Sequence, residues 1–269
     1  MNIGVSSGCF YPEKTDKCLE LVASTGAKFA EIFFNTDSEL DESYVRNLKR
    51  IADENNIKII SIHPYTSAIE TFMFFSPNDY KLADSIKYYE KYFKACQILG
   101  AKYVVIHGCL TAAKHMTMER YAHNMNLLSR KAREYGVYLS QENVVRFKCG
   151  YVENLREFIR YADEDIKFVF DLKQSVRAEQ NAKEIVDLIG SRISHLHLSD
   201  FTDEADSLLP GKGGFDYNAF FEYVVSNYGV ENALIEVYNN NIDGIESVTN
   251  SLNLLQFIAM KNENVYNKK

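Results

Sequence analysis

No two cysteines in this chain stand as C-x-x-C, and the five present (Cys9, Cys18, Cys96, Cys109, Cys149) are an odd, widely scattered set. That argues against a thiolate zinc site and a disulfide framework, and fits free thiols in a reducing cytoplasm. Also lacking is a window of the roughly eighteen consecutive apolar residues that a spanning helix needs, so no membrane segment is expected. The start, Met1-Asn2-Ile3-Gly4-Val5, has neither the basic segment nor the cleavage site of a secretion signal. Positive charge is in deficit: 30 Lys and Arg against 37 Asp and Glu give a formal net charge of −7. A protein gripping nucleic acid through its phosphates normally carries a basic face, so a small substrate is expected in place of a polyanion. No G-x-G-x-x-G or G-x-x-x-x-G-K-[ST] follows the first apolar run, which removes the usual nucleotide-binding signatures.

What is present is one alternation, repeated from end to end. Short apolar runs rich in β-formers are each followed by an amphipathic stretch or a loop leading to one, the rhythm of βα units around a parallel sheet. Eight runs are found: 3–6, 29–33, 58–63, 103–107, 137–142, 168–171, 194–198 and 233–237. Eight closes a barrel, and 269 residues suit the roughly 250 of that architecture. The expectation is therefore a single α/β domain over 1–269, a (β/α)8 TIM barrel, with the Asn/Lys-rich tail 261–269 frayed. Helices are predicted over 17–24, 80–99 and 182–189, each stopped by a following glycine, and over 218–225 with Asp216 as N-cap.

Polar residues gather where these runs end: His63, His107, Glu142, Asp171, His197 and Glu236. In a closed barrel, strand ends far apart in sequence share one mouth, where active sites assemble. A carboxylate closing an apolar strand is costly unless it has a partner, and alone it is as well explained by a salt bridge as by chemistry. Three such carboxylates on separate strands favour a shared cation. In Ser194-His195-Leu196-His197 the period-two alternation puts both histidines on one face, with His197 nearer the mouth and His195 read as a core or supporting residue. Three carboxylates and an imidazole make a hard, oxygen-rich site suited to one divalent ion, Mn²⁺, Mg²⁺ or Co²⁺ first, with Zn²⁺ also compatible.

These residues fall in motifs that resemble the xylose isomerase-like barrels, a superfamily of sugar and sugar-phosphate isomerases and epimerases that also includes endonuclease IV-type repair enzymes. The motifs are Ile62-His63-Pro64-Tyr65, Ile106-His107-Gly108, Gln141-Glu142-Asn143-Val144, Phe170-Asp171-Leu172, His195 to Asp200, and Leu209 to Tyr217 running on to Ile235-Glu236. The resemblance implies one metal held by Glu142, Asp171, His197 and Glu236, with Glu142 and Glu236 exchanging a substrate proton through an enediolate. His63, His107, Gln174, Lys148, Glu31 and Lys212 are the candidate substrate contacts. Gln174 stands where the family pattern has a histidine, Lys148 where ketose epimerases have a glutamate, and Ser207 near an expected Asp-x-His pair. A three-metal nuclease centre is therefore not expected, and hydrolysis of abasic DNA ranks as an alternative beside an inosose-type dehydratase or lyase on the same metal. A retained, non-catalytic sugar-binding barrel is a further reading.

Gly211, Gly213 and Gly214 either cradle a phosphate with help from Lys212 or simply turn the chain into the next helix. Phe10, Tyr11, Phe33, Phe34, Tyr65 and Tyr238 are candidates for an apolar wall against a sugar ring. The stretch 67–78, with Phe72, Phe74 and Phe75, reads as a long loop serving as a lid or as the contact of a homo-oligomer.

Overall fold

A computed structural model describes residues 1–266, with side chains through Asn262. Eight parallel strands close into a barrel in chain order, β1 pairing with both β2 and β8. They are β1 (Asn2–Ser6), β2 (Phe29–Phe33), β3 (Lys58–His63), β4 (Tyr103–Ile106), β5 (Tyr138–Glu142), β6 (Lys167–Asp171), β7 (Ile193–Leu198) and β8 (Asn232–Ile235). Each coincides with an apolar run read from the sequence, because strands covered on both faces must be apolar nearly throughout.

The outward residues of these strands, among them Ile32, Ile62, Val104, Leu139, Phe170, Leu196 and Ile235, are buried in one continuous core beneath the helices. The inside differs. Barrels of this kind usually fill their interior with branched aliphatics, whereas here Ser6, Glu31, Ser61, Ser140, Ser194, His195 and His197 are buried and hydrogen-bonded to one another. Register shifts in the β2–β3 pair at Ala30/Glu31 and in the β6–β7 pair at Phe168/Val169 each involve a strand that feeds this layer.

Helices stop and start where the sequence punctuates them. Asp79–Leu99 ends at Gly100, whose left-handed backbone (φ 73°) breaks the helix. Asp216 caps Tyr217–Tyr228 by accepting the Ala219 amide at 3.0 Å.

The stretch 67–78 departs from its expectation as a loop. A 3₁₀ turn (Tyr65–Ile69) leads into a short helix (Glu70–Phe74), and Phe74 and Phe75 are core residues, 1% and 0% exposed, so only Phe72 is free to cover anything. Both rings pack edge-on against aromatics of later helices, Phe74 against Tyr89 and Phe75 against Tyr121, contacts that local sequence does not announce. The last helix runs Ile245–Tyr266, so part of the expected frayed tail is helical, and residues 267–269 lie outside the described ones. Among the described residues no helix is long and apolar enough to cross a membrane.

Candidate metal centre

Four consecutive strands deliver four side chains to one point. Glu142 and Asp171 are the last residues of β5 and β6, and His197 is the next-to-last of β7. Glu236 directly follows β8, held in the ladder by its amide to the Leu198 carbonyl at 3.0 Å. One ligating atom from each of the four lies within 4.8 Å of all the others. His197 Nδ1 faces Glu142 Oε1 and Glu236 Oε2 at 3.3 Å each and Asp171 Oδ2 at 3.9 Å.

The atoms meet the demands of a divalent ion. Two ligands on opposite sides of a Mn²⁺- or Mg²⁺-sized ion at about 2.0–2.3 Å are roughly 4.0–4.6 Å apart and adjacent ones roughly 3 Å, and the three contacts of His197 Nδ1, at 3.3, 3.3 and 3.9 Å, fall between these limits. Two of the oxygens, Glu142 Oε2 and Asp171 Oδ2, are buried without an aligned hydrogen-bond donor and face His107 Nε2 at 3.1 Å and Lys173 Nζ at 3.2 Å.

The supporting groups aim the ligands. Glu31 lies within β2, across the barrel from β7, and its Oε2 takes His197 Nε2 at 3.3 Å. With an ion on Nδ1, this contact would hold the proton on Nε2, the usual way a carboxylate fixes a ligating histidine. Ser6 Oγ and Ser61 Oγ donate to Glu31 at 3.1 and 2.7 Å and hold it in turn. Asn143 behaves as a one-residue strand for Asp171, accepting its amide at 2.7 Å and donating to its carbonyl at 3.0 Å. Asp171 Oδ1 accepts the Gln174 amide at 2.9 Å and caps the short helix Leu172–Arg177, which leaves Oδ2 for the centre. Gln141 donates to the His107 carbonyl at 3.0 Å, and buried Glu70 accepts the Gly108 amide at 2.6 Å, so the turn bearing His107 is pinned from two sides. Gly108 has φ 90°, and a Cβ there would lie 1.8 Å from the Tyr121 hydroxyl, so glycine is required.

Burial opposes charge on every one of these groups, and the pairings decide the outcome. For Glu142, the surrounding imidazoles of His107, His197 and His63 outweigh burial and hold the carboxyl well below its ordinary range. For Glu236, burial is overcome by His197 and Lys173, again downward. His197 is pushed well above its ordinary value, Glu236 and Glu31 prevailing over burial. Asp171 goes the other way: burial, partly offset by Lys173 and reinforced by Glu142 and Glu236, raises it to about 7.

Lys173 was not singled out from the sequence. Its ammonium is buried 3.2 Å from Asp171 Oδ2 and 3.1 Å from Glu236 Oε2. The available signal was its place two residues beyond a strand-end ligand.

A cavity of about 250 Å³ opens over the cluster, bounded by Glu142, Glu236, Lys173, His63, His107, Gln174, Phe33, Tyr11 and Tyr238. That is small beside typical ligand pockets of roughly 300–1,000 Å³, a size for a single small molecule. A larger hollow of about 790 Å³ lies outside the barrel against Asp79, Arg120 and His123; no possible metal-holding group falls there among the described residues.

Of the candidate substrate contacts, His63, His107 and Gln174 line the cavity. His63 and His107 sit 3.1 Å apart, Nε2 to Nε2, and His107 reaches Glu142 Oε2 at 3.1 Å. With Glu142 they form a second triplet able to hold an ion, and Glu31, His195 and His197 form a third. The other three candidates are elsewhere. Glu31 is fully buried beneath the cluster; Lys148 is half-buried and outside the cavity lining; Lys212 is exposed, beside a hollow with Asp243 and Glu246. The amides of Gly211, Phe201 and Phe215 donate to the Asp200 carboxylate at 3.0, 2.9 and 3.1 Å, so an internal anion fills the glycine turn. Of the aromatic wall, Tyr11, Phe33 and Tyr238 line the cavity, while Phe10 and Phe34 are core residues and Tyr65 lies outside the lining with its hydroxyl on that of Tyr88.

Known proteins share this architecture. A family model described as xylose isomerase-like TIM barrel matches residues 19–255. No curated protein matches the sequence. Among solved structures, a D-tagatose 3-epimerase-like protein superposes with a TM-score of 0.80 at 20% identity, over 98% of this chain and 100% of its own. D-psicose 3-epimerase from Clostridium cellulolyticum H10, solved with D-tagatose, gives 0.77 at 16% identity, over 96% and 99%. The IOLI protein, solved with a zinc atom, gives 0.74 at 18% identity, over 97% and 99%. At such identities the likeness is one of fold.

Proposed function

The chain belongs to the xylose isomerase-like TIM barrel family, and from that premise we propose that it is a divalent-metal-dependent isomerase or epimerase of a small sugar or sugar phosphate. The observation that carries this reading is the pair Glu142 and Glu236: both border the cavity, and both approach His197 Nδ1 at 3.3 Å within a four-ligand cluster. A divalent ion held by Glu142, Asp171, His197 and Glu236 would supply polarisation of a substrate carbonyl and its neighbouring hydroxyl, easing proton loss from the carbon between.

The residues of the chain do the rest. One of the two glutamates takes the carbon-bound proton and the other returns one to the enediolate. Their surroundings differ: Glu142 is held by three histidines, whereas Glu236 leans on Lys173 and His197 and is more open, 15% against 3% exposed. That asymmetry is the kind that separates an acid from a base. His63, His107 and Gln174 offer hydrogen bonds to sugar hydroxyls, while Phe33, Tyr11 and Tyr238 give an apolar face to the ring and shield it from water. Support also comes from neighbours of the same fold described as ketose 3-epimerases and from one solved with zinc. The five buried, unpaired cysteines suit the cytoplasmic setting expected.

The test is a panel of ketoses, aldoses and their phosphates, incubated with Mn²⁺, Mg²⁺, Co²⁺ or Zn²⁺ and read by NMR. Interconversion of one pair, abolished by EDTA and restored by metal, is expected; conversion undiminished by EDTA contradicts the proposal. The His63–His107–Glu142 triplet favours one second reading, hydrolysis of a phosphodiester at abasic DNA with further ions bound there. Incision of an abasic duplex would support it, and a single ion per chain without incision removes it.

A further inference from the structure

Lys173 is neither of the two proposed proton carriers, yet its ammonium stands inside the carboxylate cluster. Its Nζ is 3.2 Å from Asp171 Oδ2 and 3.1 Å from Glu236 Oε2, two of the four atoms that face a common point, and its side chain is 4% exposed. Asp171 Oδ2 has no hydrogen-bond partner, so the lysine meets it as a charge and not as an aligned donor. The position is fixed by sequence, since Lys173 rides on the helix Leu172–Arg177, whose cap is Asp171 itself. Glu142, Asp171 and Glu236 packed together without a cation would repel one another, and a buried ammonium without anions would be equally costly. Each solves the problem of the other.

The same arrangement sets a conflict. An ion among the four ligands would share Asp171 Oδ2 and Glu236 Oε2 with the ammonium, and two cations a few ångströms apart in a buried site repel strongly. The lysine has somewhere to go: it lines the cavity on a flexible four-carbon stem, and the Tyr238 ring, 5.2 Å from Nζ and tethered by Arg177 at 2.6 Å, offers a face to a cation.

We propose that Lys173 is a built-in counter-ion of the metal-free site, which keeps the ligand carboxylates assembled before metal arrives and competes with the metal for them. The inference rests on the metal-site reading above. It makes this centre weaker for divalent ions than its ligand set alone would be, and it makes metal entry conditional on the ammonium swinging toward the cavity.

The experiment is isothermal titration of Mn²⁺ into the chelator-treated full-length protein and its Lys173→Met and Lys173→Arg variants, with melting curves of each with and without Mn²⁺. Lys173→Met is expected to bind Mn²⁺ at least about tenfold more tightly than the parent, to melt lower when metal-free, and to recover with Mn²⁺. Lys173→Arg, which keeps the charge, should stay as weak as the parent. Recovery of folded Lys173→Met only in the presence of Mn²⁺ would support the same conclusion, because the ion then does the work of the ammonium. Equal or weaker affinity in Lys173→Met, tightening in Lys173→Arg, or a Lys173→Met protein that Mn²⁺ cannot rescue would overturn the proposal. If the parent binds Mn²⁺ and Lys173→Met binds it no better, the metal site stands and only the role of the lysine falls. If neither binds Mn²⁺, the metal-site reading falls with it.

Discussion

The mouth and the floor of this barrel share β3, β5 and β7, which supply Ser61 and His63, Ser140 and Glu142, and His195 and His197, yet only one of them is left unfinished. On the floor, Ser140 donates to Ser194 at 2.9 Å, Ser194 meets the Phe168 carbonyl and His195 Nδ1 at 3.0 Å each, and Ser61 donates to Glu31 at 2.7 Å. The floor histidine, His195, is kept neutral by burial, its pKa lowered. At the mouth, Glu142 Oε2 and Asp171 Oδ2 are buried without an aligned donor and face His107 and Lys173. Buried polarity is therefore not by itself the mark of function in this molecule. Buried carboxylates that converge from separate strands, with oxygens lacking an aligned donor, are the better mark, because such charges are costly to bury together and are placed to take a cation.

The largest break between the two layers is expected in turnover. Glu142→Gln and Glu236→Gln should each lower kcat by roughly 10²–10⁴-fold, the usual scale of lost acid–base catalysis, while circular dichroism reports an intact fold; turnover at the native rate in either variant would refute their role. Next comes the one contact that joins the layers. Glu31→Gln should weaken Mn²⁺ binding by about 10–100-fold, as loss of a partner behind a ligating histidine does, and unchanged affinity in titration calorimetry would show that His197 is aimed by something else.

The effect of pH sharpens the same contrast. Because Asp171 titrates near 7 and its protonated form competes with a cation, Mn²⁺ affinity should fall as the pH drops, by about fivefold between pH 7 and 6 from this group alone, and the proton that His197 holds well above its ordinary range should keep affinity rising beyond pH 7. A flat affinity over this window would place Asp171 outside the ligand set. The smallest effect belongs to the floor: Ser140→Ala removes one buried hydrogen bond and should cost about 1 kcal/mol of stability in denaturant melts, with metal affinity untouched.

How far the sequence revealed this follows from what each feature depends on. The strands were legible because both faces of every strand are covered, which writes an apolar run into the chain. Glu142, Asp171, His197 and Glu236 were legible because they interrupt those runs at the end that faces the mouth. Lys173 was not, since a lysine just past a strand reads as solvated until the barrel closes around it. Glu31 was expected near substrate; its contact with His197 spans 166 residues and the width of the barrel, a separation no local pattern reports. Asn143 and Gln141 were quoted only as parts of a motif, because their work is done on the backbones of neighbouring strands. Phe74 and Phe75 failed as lid residues because the helices that bury them come later in the chain.

The central claim is that four strand-end side chains share one ion, and anomalous diffraction from crystals grown with Mn²⁺ tests it most directly. A single manganese peak within bonding distance of Glu142, Asp171, His197 and Glu236 is the predicted result. A map with no peak there, or with its manganese bound by His63 and His107 away from Asp171 and Glu236, would contradict it.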